Sequence, residues 1–100
     1  MNKVLIIEDE KNLAQIMKDY LSMDNIESEI ILDGNDAIAA VKHFEPDLIL
    51  LDIMLPNKDG TTICKEIRQF SQTPIIMTTA RVDEIDRIIG LEIGADDYVC

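Results

Sequence analysis

Pro46-Asp47-Leu48-Ile49-Leu50-Leu51-Asp52 is the stretch on which the fold turns. Four consecutive aliphatic residues, preceded by Pro46-Asp47 and closed by Asp52, read as a short strand buried on both faces. A second run of the same kind, Val4-Leu5-Ile6-Ile7, stands near the amino end and stops at Glu8-Asp9-Glu10. Strands that are apolar on both faces need helices above and below them. That is the demand of a parallel α/β sheet, not of a half-wetted antiparallel one.

The segments between these runs carry helical periodicity. Leu13, Ile16, Met17, Tyr20 and Leu21 recur at i, i+3, i+4, i+7 and i+8, which predicts a one-faced amphipathic helix with Asn12 as its cap. Residues 28–32 mix charge with aliphatics and suit an edge strand. Gly34 and Asn35 break it, and Ala37, Val41 and Phe44 mark a second helix that ends before Pro46. Pro56-Asn57-Lys58-Asp59-Gly60 is a turn that leads into a third helix with Ile63, Ile67 and Phe70 on one face. Pro74 opens a strand, Ile75-Ile76-Met77-Thr78. A fourth helix starting near Asp83 turns Val82, Ile85, Ile89 and Ile93 inward and ends at Gly94, and Asp97-Tyr98-Val99-Cys100 begins a fifth strand. The order β-α-β-α-β-α-β-α-β, without repeats or a linker, predicts an α/β fold. Its core is a doubly wound parallel five-stranded sheet of order 2-1-3-4-5, with any site outside the carboxyl ends of the first and third strands.

Composition agrees with a single globular domain. Of 100 residues, 47% are hydrophobic and 29% charged, with only 4 Gly and 3 Pro, which excludes disordered and collagen-like classes. No aliphatic run exceeds four residues, against the roughly 20 needed to span a bilayer. No apolar stretch follows a basic amino terminus, so a cytoplasmic chain without membrane contact is expected. Cys64 and Cys100 have neither CxxC spacing nor scaffold density and are expected as free thiols. Twenty acidic against nine basic residues give a net charge of −11. A duplex carrying one negative charge per ~1.7 Å repels such a surface, so this domain itself should not bind DNA.

The acids are not evenly spread. Glu8 and Asp9 follow the first strand, Asp52 ends the third, and Thr79 lies just beyond the fourth. In the order above, the first and third strands are neighbours about 4.8 Å apart, so the carboxylates converge. Like charges at that range raise one another's pKa unless a cation intervenes. Oxygen donors without Cys or His companions suit a hard ion such as Mg²⁺. A carboxylate beside such an ion can attack phosphorus while the metal neutralises charge on the transferring group. Asp52 ends a buried strand, is the most rigidly placed of the three, and is the candidate nucleophile. Thr79 can donate its hydroxyl to a phosphoryl oxygen. His43 reads as a solvated surface residue, Cys64 as a small helical side chain without reactive surroundings, and the methionines as core filler.

At these motifs the sequence resembles the bacterial response-regulator receiver domains, along its whole length. Val4–Glu10 resembles their first strand and acid pair, Pro46–Asp52 their phosphoacceptor strand, and Met54-Leu55-Pro56 with Asp59-Gly60 the loop that follows. Pro74–Arg81 resembles the segment carrying the switch hydroxyl, Thr79, and Gly94–Val99 the stretch bearing the switch aromatic, Tyr98. These last two segments, together with Arg87–Glu92, further resemble the OmpR/PhoB type of two-component transcription regulator. The resemblance implies a flavodoxin-like (CheY-like) fold and phosphoryl transfer from a sensor histidine kinase to Asp52. It implies Mg²⁺ held by Asp9, Asp52 and the backbone carbonyl of Met54, with Glu8 reaching it through water. Thr79 and Tyr98 would switch together, and Arg87, Glu92, Asp96 and Asp97 map onto a face that forms a homodimer on phosphorylation. Such a domain is not an enzyme in the ordinary sense, since it catalyses only its own phosphorylation and dephosphorylation. The family places Lys-Pro and a fifth helix after the position of Cys100. The 100 residues are therefore expected to be a receiver truncated before that helix, with a DNA-binding output domain beyond.

Three other functions fit less well. A flavodoxin-like FMN site needs hydroxyls and amides where this chain has Glu8-Asp9-Glu10. A phosphatase of the haloacid-dehalogenase type needs a second Asp where Met54 stands. Walker-type nucleotide binding needs a GxxxxGK that does not occur. The alternative that survives is a degenerate receiver acting as a phosphorylation-independent interaction module.

Overall fold

In the computed structural model, which describes residues 2–53 and 55–78, the two aliphatic runs become the central strands of a parallel sheet. β1 (Lys3–Ile7) lies between β2 (Glu27–Ile31) and β3 (Leu48–Asp52), and β4 (Ile75–Thr78) pairs with the far side of β3. All three pairings are parallel and the order is β2-β1-β3-β4. Among the described residues this is the expected order. The expected fourth helix and fifth strand lie outside them, as do Met54, Thr79, Tyr98, Arg87, Glu92, Asp96 and Asp97.

Parallel neighbours cannot be joined by a tight turn, so each connection carries a helix: α1 (Lys11–Met23), α2 (Ala37–Phe44) and α3 (Gly60–Arg68). Side chains alternate across the sheet, which splits each aliphatic run between two cores. Leu5, Ile7, Ile49 and Leu51 are fully buried on one face against α2 and α3 residues including Val41, Phe44, Ile63 and Ile67. Val4 and Ile6 are buried on the other, with Ala14 of α1 and the half-buried Leu48 and Leu50. No helix among the described residues is long and apolar enough to cross a membrane.

Several local expectations shift. α1 is capped by Glu10, not Asn12: the Glu10 backbone is extended and its carboxylate accepts the Asn12 N–H at 3.0 Å. The inward face of α1 is centred on Ala14, Met17 and Leu21, while Ile16 is 57% and Tyr20 71% exposed. At 100° per residue the buried stripe is turned by roughly two thirds of a residue step from the one read off the large side chains, because Ala14 gives a weak apolar signal. Phe70 lies past the end of α3, half-exposed, with the Lys42 ammonium 4.9 Å from its ring centre. The edge strand begins at Glu27 and leaves Leu32 outside. Cys64, expected as a free thiol, is fully buried in α3 and disulfide-bonded. Neither cysteine spacing nor density signals a bond that arises from tertiary packing.

Candidate functional site

β1 and β3 pair in register from Val4 with Leu48 to Ile7 with Leu51. One residue further along each chain, Glu8 and Asp52 therefore emerge side by side at the carboxyl edge of the sheet. On its other side Asp52 is paired with Thr78 of β4. Carboxylate oxygens of Glu8, Asp9 and Asp52 all lie within 4.8 Å of one another. Glu8 and Asp52 are buried, at 1% exposure each, whereas Asp9 is exposed. The cluster is thus a buried pair with one solvated wall.

The backbone fixes Glu8 from behind. Its own N–H donates to the Ile31 carbonyl of β2 at 3.0 Å, and its Oε2 accepts the Glu10 N–H at 2.9 Å. Oε1 is buried without a hydrogen-bond partner. Burial pushes the Glu8 carboxyl up to about 7, the negative charge of Asp52 adds to the rise, and the Glu10 N–H opposes it. A protonated Glu8 can share its proton with Asp52; once ionised, it leaves Oε1 facing two other carboxylates with no donor. An orphaned buried oxygen and two further carboxylates, with no His or Cys in the cluster among the described residues, fit a hard divalent cation.

The folded pKa of Glu8 lies above the ordinary 4.5, so between these values the folded chain holds the extra proton. Metal-free stability should fall as pH rises from about 4.5 to 7, by at most about 3 kcal/mol. A divalent cation should flatten that decline. Urea unfolding from pH 4.5 to 8, with and without metal, measures both; a flat metal-free profile would contradict the burial of Glu8 beside Asp52.

Of the residues singled out in the sequence, the structure brings together Glu8, Asp9 and Asp52. Two residues outside that set belong to the frame of the site. Glu10 caps α1 and also holds Glu8. Gly60, the first residue of α3, packs against the backbone at the end of β3. In the sequence it stands as an Asp-Gly pair closing a turn and as part of the loop that resembles the receiver domains, and neither signal tells of its tertiary approach.

Residues 4–100 match the family model described as response regulator receiver domain. The chain is 52% identical over 98 residues to the transcriptional regulatory protein BaeR of Escherichia coli, covering 98% of this chain and 41% of that protein. It therefore spans about two fifths of the length of this curated relative. Among solved structures, the BeF₃-activated N-terminal receiver domain of Klebsiella pneumoniae RstA is 36% identical with a TM-score of 0.79, over 98% of this chain and 84% of that one. A two-component response regulator from Clostridium difficile is 32% identical with a TM-score of 0.79, over 99% of this chain and 82% of that one. Sequence and fold thus agree along nearly the whole chain, which belongs to the response regulator receiver domain family.

Proposed function

We propose that Asp52 accepts a phosphoryl group from a phosphohistidine of a sensor histidine kinase, in a Mg²⁺-dependent reaction, and that this switches a distal face to control a transcriptional output. The observation that carries this is the buried Glu8–Asp52 pair, opened to solvent by Asp9, with one Glu8 oxygen left without a donor. Asp9, Asp52 and the Met54 carbonyl would hold the ion, with Glu8 joined to it through water. When bound, Mg²⁺ supplies charge neutralisation for the transferring group. The Asp52 carboxylate forms a bond to phosphorus as the bond from phosphorus to the imidazole nitrogen breaks, and the imidazole keeps the electron pair. Pairing with Thr78 of β4, one residue past the β1–β3 register that ends at Ile7 and Leu51, holds the Asp52 backbone and restricts the nucleophile's approach.

Beyond the described residues, Thr79 donates its hydroxyl to the new phosphoryl group and Tyr98 turns inward behind it. The face bearing Arg87, Glu92, Asp96 and Asp97 then pairs with that of a second copy. A basic DNA-binding output domain following this receiver would offset its net charge of −11. Likeness to a transcriptional regulatory protein supports that output and a cytoplasmic place for the chain. Chemistry is confined to the domain's own phosphorylation and dephosphorylation.

Incubation with a small acyl phosphate tests this. With Mg²⁺ the intact mass should rise by one phosphoryl group, and without it should not. Asp9→Ala should slow uptake about tenfold or more at limiting Mg²⁺, since even outer-shell changes at metal sites cost 10- to 100-fold. A wild-type chain that gains no phosphate in Mg²⁺ would leave the phosphorylation-independent interaction module as the function.

A further inference from the structure

We propose that Gly60 is a positioning residue of the acceptor site, setting the backbone of Asp52 through a contact that no side chain permits. This rests on the reading of Asp52 as the acceptor. A Cβ at Gly60 would stand 2.7 Å from the Asp52 carbonyl oxygen and 2.8 Å from the Ile53 Cα. Both neighbours are backbone, so neither can rotate aside. Gly60 does not have positive φ; closeness of approach, not conformation, demands the glycine.

The contact is held by hydrogen bonds on each side. The Gly60 N–H donates to the Ile53 carbonyl at 3.0 Å, and the Ile53 N–H donates to the Thr78 carbonyl at 2.9 Å. The residue following Asp52 is thus clamped between α3 and β4. Asp59 secures the α3 end of the clamp, its Oδ1 accepting the Thr62 N–H at 2.9 Å and the Thr61 hydroxyl at 2.6 Å. Those bonds hold the Asp59 carboxyl below its usual range. A carboxylate at the end of a short strand is placed only as well as the backbone beneath it, and here the start of α3 is part of that support.

Gly34 provides the control. A Cβ there meets first the tip of the Ile63 side chain at 2.9 Å, then the Lys58 carbonyl at 3.1 Å and the Leu55 side chain at 3.3 Å; none of these three nearest atoms belongs to Asp52. Gly34→Ala should lose stability without moving the acceptor. Three quantities are to be compared for wild type, Gly60→Ala and Gly34→Ala, each under conditions where the chain is folded. They are the amide shifts of Asp52 and Ile53 without metal, the Mg²⁺ dissociation constant, and the acyl-phosphate rate at saturating Mg²⁺.

Gly60→Ala should move both amide shifts, weaken Mg²⁺ and slow phosphorylation by about tenfold or more, as ångström-scale misplacement of a reacting group does. Gly34→Ala should leave all three near wild type. A folded Gly60→Ala chain with wild-type values would overturn the proposal, as would equal losses in Gly34→Ala. If Gly60→Ala does not fold, the wild-type chain decides: Mg²⁺ saturation should slow exchange of the Gly60 amide several-fold, and unchanged exchange overturns the clamp. A wild-type chain that binds Mg²⁺ but takes no phosphate defeats the acceptor reading alone, and the shifts and Mg²⁺ affinity still decide the placement by Gly60.

Discussion

Asp52→Asn should abolish phosphoryl uptake from small acyl phosphates and, in the absence of metal, make the chain harder to unfold at pH 7. The amide keeps the shape of a side chain that is 1% exposed, so the core beneath it is undisturbed. Its oxygen carries no charge and is a poor nucleophile toward phosphorus. The same change removes a negative charge facing Glu8, one of the causes that raise the Glu8 carboxyl. Two like charges a few ångströms apart in a partly buried site repel by a few kcal/mol before screening, so a gain of roughly 1–2 kcal/mol at pH 7 is expected. Urea unfolding and intact mass report the two effects separately. Lost phosphorylation together with lost stability would mean that Asp52 supports the fold, not the chemistry.

Ile63→Ala should have the largest effect on stability, lowering it by about 2–5 kcal/mol. Ile63 is fully buried in α3, in the cluster that joins α2 and α3 to β1 and β3. Its tip would stand 2.9 Å from a Cβ at Gly34, so the cavity would also loosen the turn that meets the β3–α3 loop. The expected loss is a sizeable share of the roughly 5–15 kcal/mol that holds a small domain folded. Ile16→Ala is the matched comparison. Ile16 is 57% exposed on α1, and truncation of a surface side chain usually changes stability by about 0.5 kcal/mol or less. Similar urea midpoints for the two variants would contradict the rotation of α1 described above.

What the sequence made legible is what depends on neighbours along the chain. Val4–Ile7 and Leu48–Leu51 declared doubly covered strands because their runs have no polar face, and the strand order then forced Glu8 beside Asp52. The carboxylates could be placed without coordinates because each ends a strand whose register is fixed by burial. The misread details depend on contacts across the fold. Which side of α1 faces the sheet was decided by Ala14, a residue small enough to approach closely and too weakly apolar to stand out. Glu10 caps α1 because its carboxylate reaches forward to accept the Asn12 N–H, a use of Glu that side-chain preferences at helix starts do not favour. The role of Gly60 appears only when α3 is laid against the end of β3, and Phe70 left the α3 stripe because the helix stops at Arg68.

With Asp52 as the acceptor, the phosphoryl group resides on the Asp52 carboxylate. Borohydride reduction after treatment with an acyl phosphate and Mg²⁺ converts a phosphorylated aspartate to homoserine, which peptide mass spectrometry locates in the sequence. Homoserine at position 52, dependent on Mg²⁺ and absent without the phosphodonor, is the expected result. Homoserine at position 9, or a chain that stays unmodified while Mg²⁺ binds, would contradict it.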